Sequence, residues 1–448
     1  MEKELVRPEV QELIRQNDWR RLKEIIVYWE APDIADLLED LEQENMFILF
    51  RLLPRQLATD VFGEIDPDEQ MNIIQQMSNE HIRDIVSELS PDDRTELFEE
   101  LPGKITQRLL NLLPHDDCRE ARQLLGYPDE SVGRLMTPEY VAIRPQWSIK
   151  KALKHIREFG KDAETINMVY VVDDEWHLLD DIALRRLILA NPEVKVESIM
   201  DRKFISISAF EDQEKAAETI KHYDLVALPV LDSEDVLLGI VTVDDILDVI
   251  EDEVTEDVQK GASVAPLEMS YTAASVFTLY KKRIIWLSLL AVSGFLSANI
   301  ISLYEGAIAR IVALSFFIPV IIGSGGNTGS QSSVLIIRAI ATGDLTLKRW
   351  FDVVKKELFV GLLLGMTLGA ILYSGSHFWE GGAEIALVVG ISVAAIVLWA
   401  NLLGSTLPIV ITKLRLDPAF VSSPLVTTII DVTGLGIYFS LAKVLLKL

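Results

Sequence analysis

The chain is 448 residues long and carries 68 acidic against 42 basic side chains, a net charge of −26, yet its mean hydropathy is positive at +0.25. It lacks the basic footprint that phosphate contact needs, which excludes a DNA- or RNA-binding protein. Cys118 is its only cysteine, which excludes a disulfide-stapled secreted fold. The conflict between charge and hydropathy resolves at residue 270. Residues 271–448 hold 13 Lys/Arg and 8 Asp/Glu, leaving 29 basic and 60 acidic groups, net −31, in the first 270. A water-facing front and a lipid-facing back are implied. Met1 to Arg21 is charged and amphipathic with no apolar h-region, so no signal peptide is expected.

In chain order, residues 1–130 read as short amphipathic helices punctuated by Leu53-Pro54, Asp66-Pro67, Ser90-Pro91, Leu101-Pro102 and Leu113-Pro114. Apolar residues recur at a spacing of 3–4, as in Leu37, Leu38 and Leu41, which predicts a small superhelical α-solenoid. Asp92, Asp93, Glu96 and Glu99 mark an acidic surface, ordinarily just a solvated face.

Residues 131–195 and 196–252 repeat at an offset of 64. Val132-Gly-Arg-Leu-Met136 matches Val196-Glu-Ser-Ile-Met200, and each copy then predicts strand, helix, strand, acidic turn, strand and helix. The later parts pair Val169-Tyr-Val-Val with Leu228-Pro-Val-Leu, and Ile182-Ala-Leu with Val241-Thr-Val. This pattern resembles a tandem of CBS domains, most specifically in Gly239-Ile-Val-Thr-Val-Asp-Asp245; the first copy is less regular, with Asp180 where the second has Gly239. An acidic stretch from Asp248 to Asp257 then leads into a connector, residues 253–280. It reads either as a helix coupling the sensor to the membrane or as a plain charged linker.

Residues 281–448 contain five intervals long enough to cross a bilayer: Ile284–Tyr304, Ile311–Ile337, Leu358–Trp379, Ile385–Thr412 and Pro418–Ala442. Lys281, Lys282 and Arg283 precede the first span. Arg338, Lys348, Arg349, Lys355 and Lys356 lie between the second and third, and Lys413 and Arg415 between the fourth and fifth. Glu380 and Glu384, with no Lys or Arg, separate the third and fourth. Basic loops stay inside, so the front part is expected in the cytoplasm and the C-terminus outside the cell membrane.

The fifth interval is interrupted once, by Asp431 near mid-bilayer, where a carboxylate costs about 2.5–3.5 kcal/mol on insertion scales. A protonated Asp bonded between helices and an ion-pathway carboxylate both fit, and an acidic lining would attract cations. Thr427 and Thr428 are close by, and Pro424 is expected to free a backbone carbonyl. The second interval carries Gly323-Ser-Gly-Gly-Asn327-Thr-Gly-Ser-Gln331, with Asn327 and Gln331 on one helix face. The fourth carries Asn401-Leu-Leu-Gly404-Ser-Thr-Leu-Pro408. Helix packing through small residues is the plain alternative for each.

Taken together, these parts form a multidomain membrane protein: an α-helical superhelical N domain, an α/β tandem CBS pair, a connecting plug helix and a five-span α-helical membrane domain. In this order they resemble the MgtE family of magnesium channels and transporters. The resemblance rests most specifically on Pro319 to Gln331, on Asn401 to Pro408, and on Asp417-Pro-Ala419 through Ser423-Pro424 to Asp431. It implies a homodimer with its pore on the two-fold axis, closed by the cytosolic part when internal Mg²⁺ is high. Asp431 falls on the family's selectivity residue and Asp417 on an acidic position at the cytoplasmic mouth. Regulatory Mg²⁺ ligands fall on Asp212, Glu214, Asp224, Asp245, Asp248, Glu253, Glu256 and Asp257, with partners in the N domain near Asp92, Asp93 and Glu96. ATP at the CBS pair is implied only weakly, because Leu225 stands where an aromatic side chain would stack on a base.

Three other readings compete with this one. A membrane metalloprotease fails because the six histidines contain no His-Glu-x-x-His. A CBS sensor on a plain anchor needs neither Asp431 nor Asn327 and Gln331. A proton- or sodium-coupled carrier of divalent cations such as Co²⁺ or Mn²⁺ stays open, since Gly- and Pro-broken spans suit alternating access.

Overall fold

The structure is a computed structural model describing residues 10, 12–14, 16, 18–267, 271, 274–341, 344–345, 349–378, 382–414, 416–418 and 421–447. Lys348, Glu380, Arg415 and Ala419, used above, lie outside the described residues. The chain forms two compact units, residues 1–253 and 254–448.

The first unit opens with short helices. In order they are Trp19–Ile26 (α1), Ala31–Glu39 (α2), Gln43–Leu52 (α3), Arg55–Gly63 (α4), Pro67–Gln76 (α5), Asn79–Glu88 (α6), Pro91–Glu100 (α7), Gly103–Leu110 (α8) and His115–Leu124 (α9). Proline sets their length. It is placed in the first turn of α2, α5 and α7, where its missing N–H costs nothing, and it disfavours helix in the residue before it. Ser90 caps α7 through the Asp93 amide. Each helix buries an apolar stripe, as with Ile34, Leu37 and Leu38, in one shared core. Helices two apart in sequence pack together (α1 with α3, α2 with α4, α4 with α6), the arrangement of a superhelix.

The repeat is realised as two copies of one unit. Val132–Leu135 (α10), β1 (Ala142–Ile143), α11 (Ile149–Phe159), β2 (Met168–Val172), β3 (Leu178–Ala183) and α12 (Leu184–Leu189) make the first. The second has a 3₁₀ turn at Val196–Ile199, then β4 (Ile207–Ser208), α13 (Gln213–Tyr223), β5 (Ala227–Leu231), β6 (Leu237–Thr242) and α14 (Val243–Gly261). In both sheets the first strand pairs parallel and the last antiparallel with the middle one, and both carry a register shift near the end of the middle strand. Asp180, the departure from the repeat, is fully buried. Its two oxygens accept hydrogen bonds from the Asp181 amide at 3.1 Å and the Asp201 amide at 2.9 Å, so it pins the link between the copies. Gly239, its counterpart, sits where a Cβ would lie 2.7 Å from the Thr137 carbonyl oxygen.

The connector differs from expectation. Helix α14 begins at Val243 as the last helix of the second copy and runs unbroken to Gly261, so no separate helix starts at residue 253. Its i, i+3 apolar residues Ile246 and Val249 still face the core of the repeat, which is why the helix nucleates there.

The second unit contains Val276–Leu303 (α15), Glu305–Arg310 (α16), Ala313–Phe316 (α17), Ile318–Ala341 (α18), Trp350–Phe378 (α19), Gly382–Lys413 (α20) and Ser423–Leu445 (α21). Among the described residues α15, α19, α20 and α21 are long and apolar enough to cross a membrane. The interval expected at 311–337 is not one helix: it breaks at Phe317, and α18 carries the Gly/Ser/Asn run that lowers its hydropathy. At 24 residues, α18 is still about 36 Å long. It packs against α20 and α21, while α19 lies along α20. Glycine permits this closeness. A Cβ on Gly365 or Gly369 would lie 2.6 Å from the carbonyl oxygens of Ala394 or Gly390, and one on Gly404 would strike the Gly329 carbonyl.

Candidate cation pathway and regulatory carboxylates

The membrane unit places Asp431 in the third turn of α21, half-buried, with Oδ1 buried and without a hydrogen-bond partner among the described residues. An unpaired carboxylate oxygen among apolar helices is costly, and a cation or its water shell is what it can bind. Helix α18 lies directly beside it: Ser330 Oγ stands 3.1 Å from Thr427 Oγ1 and donates to the Ser423 carbonyl at 3.3 Å. Along the adjoining face α18 leaves Gly323, Asn327 and Gln331, spaced by four, exposed in one stripe. A Cβ at Gly323 would meet nothing within 4 Å.

The remaining pathway candidates separate. Thr428 Oγ1 is turned back to the Pro424 carbonyl at 2.9 Å and serves its own helix. Pro424 stands in the first turn of α21, where the amide it lacks had no helical partner to lose. Pro424 therefore frees no carbonyl within α21, which corrects the expectation that it would release one. Asn401 is buried away from the stripe, bonded through Nδ2 to Glu357 of α19. A proline inside a helix occurs instead at Pro408 of α20.

Asp417, before α21, accepts a hydrogen bond from Lys260 Nζ at 2.9 Å, and the same ammonium meets Glu256 at 2.6 Å. Burial works against the Lys260 charge, but the hydrogen bonds to Glu256 and Asp417 prevail and hold its pKa above the ordinary lysine value. Asp257 is pushed up by burial and by the nearby Asp417 charge. Ser263 Oγ donates to Ser422 Oγ at 2.6 Å, which accounts for the unused capping capacity of Ser422 at the start of α21.

In the first unit the helical domain and the repeat bring carboxylates into one region. Burial and then the Asp93 and Asp248 charges raise Glu96 to about 7, and burial and then Asp92 raise Asp245 to about 7. Asp92, buried at the start of α7, rises to about 6. Asp93 and Asp248 are pushed up as well. Sequence reasoning missed Glu164, raised to about 7 by burial and then by Asp92 and Asp244, as well as Asp244 itself, Glu64 and Glu139. Their only signal in the sequence is charge. From within α7 the buried Arg94 donates to the carbonyls of Val86 at 3.0 Å and Leu89 at 2.8 Å.

Asp212 and Asp224 stand at the two ends of α13, with Glu214 in its first turn. Asp212 caps α13 through the Glu214 amide at 2.9 Å, and Asp224 ends the same helix in the left-handed conformation. Gln213 between them donates to Glu253 at 3.1 Å. Among the described residues no three His, Cys, Asp or Glu side chains converge closely enough to hold a bare metal ion.

Comparison with known proteins supplies the rest. Residues 318–441 match a family described as a divalent cation transporter, MgtE; residues 29–130 match the MgtE intracellular N domain, and residues 132–191 and 196–252 match CBS domains. The magnesium transporter MgtE of Thermus thermophilus is 40% identical over 441 residues, 98% of each chain. That of Bacillus subtilis is 32% identical over 430 residues, 96% of this chain and 95% of the relative. A crystal structure of the cytosolic domain of the Mg²⁺ channel MgtE in complex with ATP is 36% identical, with a TM-score of 0.52, covering 54% of this chain and 98% of that one. A crystal structure of the soluble part of a magnesium transporter is 32% identical, also with a TM-score of 0.52, covering 56% of this chain and 99% of that one.

A helical domain of the MgtE N-domain family and a CBS pair, followed by long apolar helices, define a multi-pass membrane transporter. The chain belongs to the MgtE family of divalent cation transporters.

Proposed function

We propose that this chain carries Mg²⁺ into the cell through a pore centred on Asp431 and is closed by Mg²⁺ bound to its cytosolic carboxylates. The observation that carries this reading is the unpartnered Asp431 Oδ1 beside the exposed stripe Gly323, Asn327 and Gln331. Such a stripe is costly against lipid, which supports a homodimer in which a second copy covers it and completes the path. Mg²⁺ keeps several of its waters, so carboxylates from two chains would hold the hydrated ion through them rather than in an all-protein cage. Counting α18 with the four apolar helices gives five spans, with the N-terminal domains in the cytoplasm and the C-terminus outside.

Regulation follows from charge. Burial first, and neighbouring carboxylates second, push up Glu96, Glu164, Asp245 and Asp92. A divalent ion, bound through its waters or after the carboxylates close on it, removes that repulsion and favours the assembled state. Glu253, Glu256 and Asp257 continue the acidic run along α14, and Lys260 joins Glu256 to Asp417. The relative solved with ATP makes the CBS pair the proposed site for a nucleotide that tunes this response.

The test is Mg²⁺ uptake into liposomes holding the purified full-length protein, with the Mg²⁺ facing the cytosolic domains varied. Uptake that shuts off as that Mg²⁺ rises, with no requirement for a proton or sodium gradient, is the expected result. Uptake that depends on such a gradient would favour the coupled carrier.

A further inference from the structure

Asp431 is not the only carboxylate among the apolar helices. Glu357, read from the sequence as the boundary of a span, is the eighth residue of α19, about 10 Å into the helix at 1.5 Å per residue. Its Oε2 accepts a hydrogen bond from Asn401 Nδ2 of α20 at 2.8 Å and one from Ser332 Oγ of α18 at 3.4 Å. Asn401 Nδ2 also donates to the Glu357 carbonyl at 2.7 Å, and Ser332 Oγ to the Asn401 carbonyl at 3.2 Å. Asn401 and Ser332 are buried, so three helices meet at one ionisable group. Such groups are expensive inside a membrane and are kept where function needs them.

The contacts around this junction explain the need. Helix α18 approaches α20 through Gly329 against Gly404, and α19 approaches Asn401 through Gly361. Glycine surfaces allow closeness but carry no side chain that keys one helix against rotation or sliding on the next. Directional hydrogen bonds supply that key. Ser330 ties one flank of α18 to α21, and Ser332 ties another to Glu357 and Asn401. Between them in sequence lies Gln331, on the exposed stripe.

We infer that Glu357 is a positioning residue for the ion path: through Asn401 and Ser332 its carboxylate fixes the rotation and depth of α18, and thereby the placement of Asn327 and Gln331. The inference rests on the pore reading above. Its test is uptake into liposomes by full-length Glu357→Ala, Glu357→Gln and Ser332→Ala beside wild type, measuring the Mg²⁺/Ca²⁺ uptake ratio and thermal unfolding. Wild type without Mg²⁺ uptake would overturn the pore reading itself.

With wild type active, Glu357→Ala is expected to lower the Mg²⁺/Ca²⁺ ratio by about tenfold, because Asn401 Nδ2 then keeps only the residue-357 backbone carbonyl and Ser332 loses its bond to α19. Glu357→Gln keeps an acceptor of the same shape and is expected to retain the ratio. A loss of stability alone would reduce the amount of active protein without changing the ratio. An unchanged ratio in folded Glu357→Ala overturns the inference, as does a Gln variant that fails like the Ala variant, which would mean that the charge acts directly. If Glu357→Ala does not fold, Ser332→Ala decides: a lowered ratio supports the inference and an unchanged one overturns it.

Discussion

Asp245, Glu96 and Glu164 show what single side chains contribute to sensing. Each is a carboxyl whose burial and neighbours favour the proton-bound form, so each relaxes when a cation arrives. Neutralising Asp245 or Glu164 as the amide removes both the repulsion and a binding partner for the ion. The Mg²⁺ concentration that half-closes the pore is expected to rise by roughly fivefold or more in either variant, read from uptake against cytosolic-side Mg²⁺. An unchanged closing curve would remove that residue from the sensor. Arg94 has the opposite task of holding α7 in place. Arg94→Met leaves the Val86 and Leu89 carbonyls without their donor and is expected to cost about 1–3 kcal/mol, seen as a lower unfolding midpoint in denaturant.

Helix packing in the membrane unit depends on glycine where backbone meets backbone. Gly404 is the severe case: a methyl group there meets the rigid Gly329 carbonyl, whereas one at Gly329 first meets the movable end of Ile430. Gly404→Ala is expected to destabilise the unit by about 1–3 kcal/mol and to lower uptake per folded protein, with Gly329→Ala milder. Thermal unfolding in detergent checks the order, and a harsher effect at Gly329 would contradict it.

These elements were unevenly legible. The Pro-punctuated helices, the repeat and Asp431 could be read because each breaks a local pattern: a period, a copy, a charge-free run. Asn401 could not be placed because its partner, Glu357, is 44 residues away and looked like a span end. Pro424 misled because a helix start cannot be told from a helix middle inside an apolar run. Glu164 and Asp244 were invisible as site residues, since only the docking of the helical domain on the repeat within the first unit brings Glu164 near Asp92 and Asp244 near Asp93.

Across the chain, the charge asymmetry of −31 in front and +5 behind predicts how pH and Mg²⁺ trade places. Carboxyls raised to about 6 or 7 bind protons more tightly in the assembled first unit than in the unfolded chain, where they titrate near their ordinary values. Their contribution therefore favours assembly at low pH and is lost as pH climbs through about 7, the reverse of a salt-bridged carboxylate. Without Mg²⁺, the unfolding temperature of the cytosolic part of the full-length protein is expected to fall between pH 5.5 and 8. Added Mg²⁺ should restore more of it at pH 8 than at pH 5.5. A midpoint that rises with pH in the absence of Mg²⁺ would show that the cluster is not under charge strain.

The ion path itself turns on one carboxylate oxygen, and the decisive measurement is Mg²⁺ and Ca²⁺ uptake into liposomes by wild type beside Asp431→Asn. Asparagine keeps the shape and removes the charge. Wild type is expected to carry Mg²⁺ in preference to Ca²⁺, and the variant to lose the flux or the preference. Equal flux with equal selectivity in the two proteins would make Asp431 structural and contradict the pathway described here.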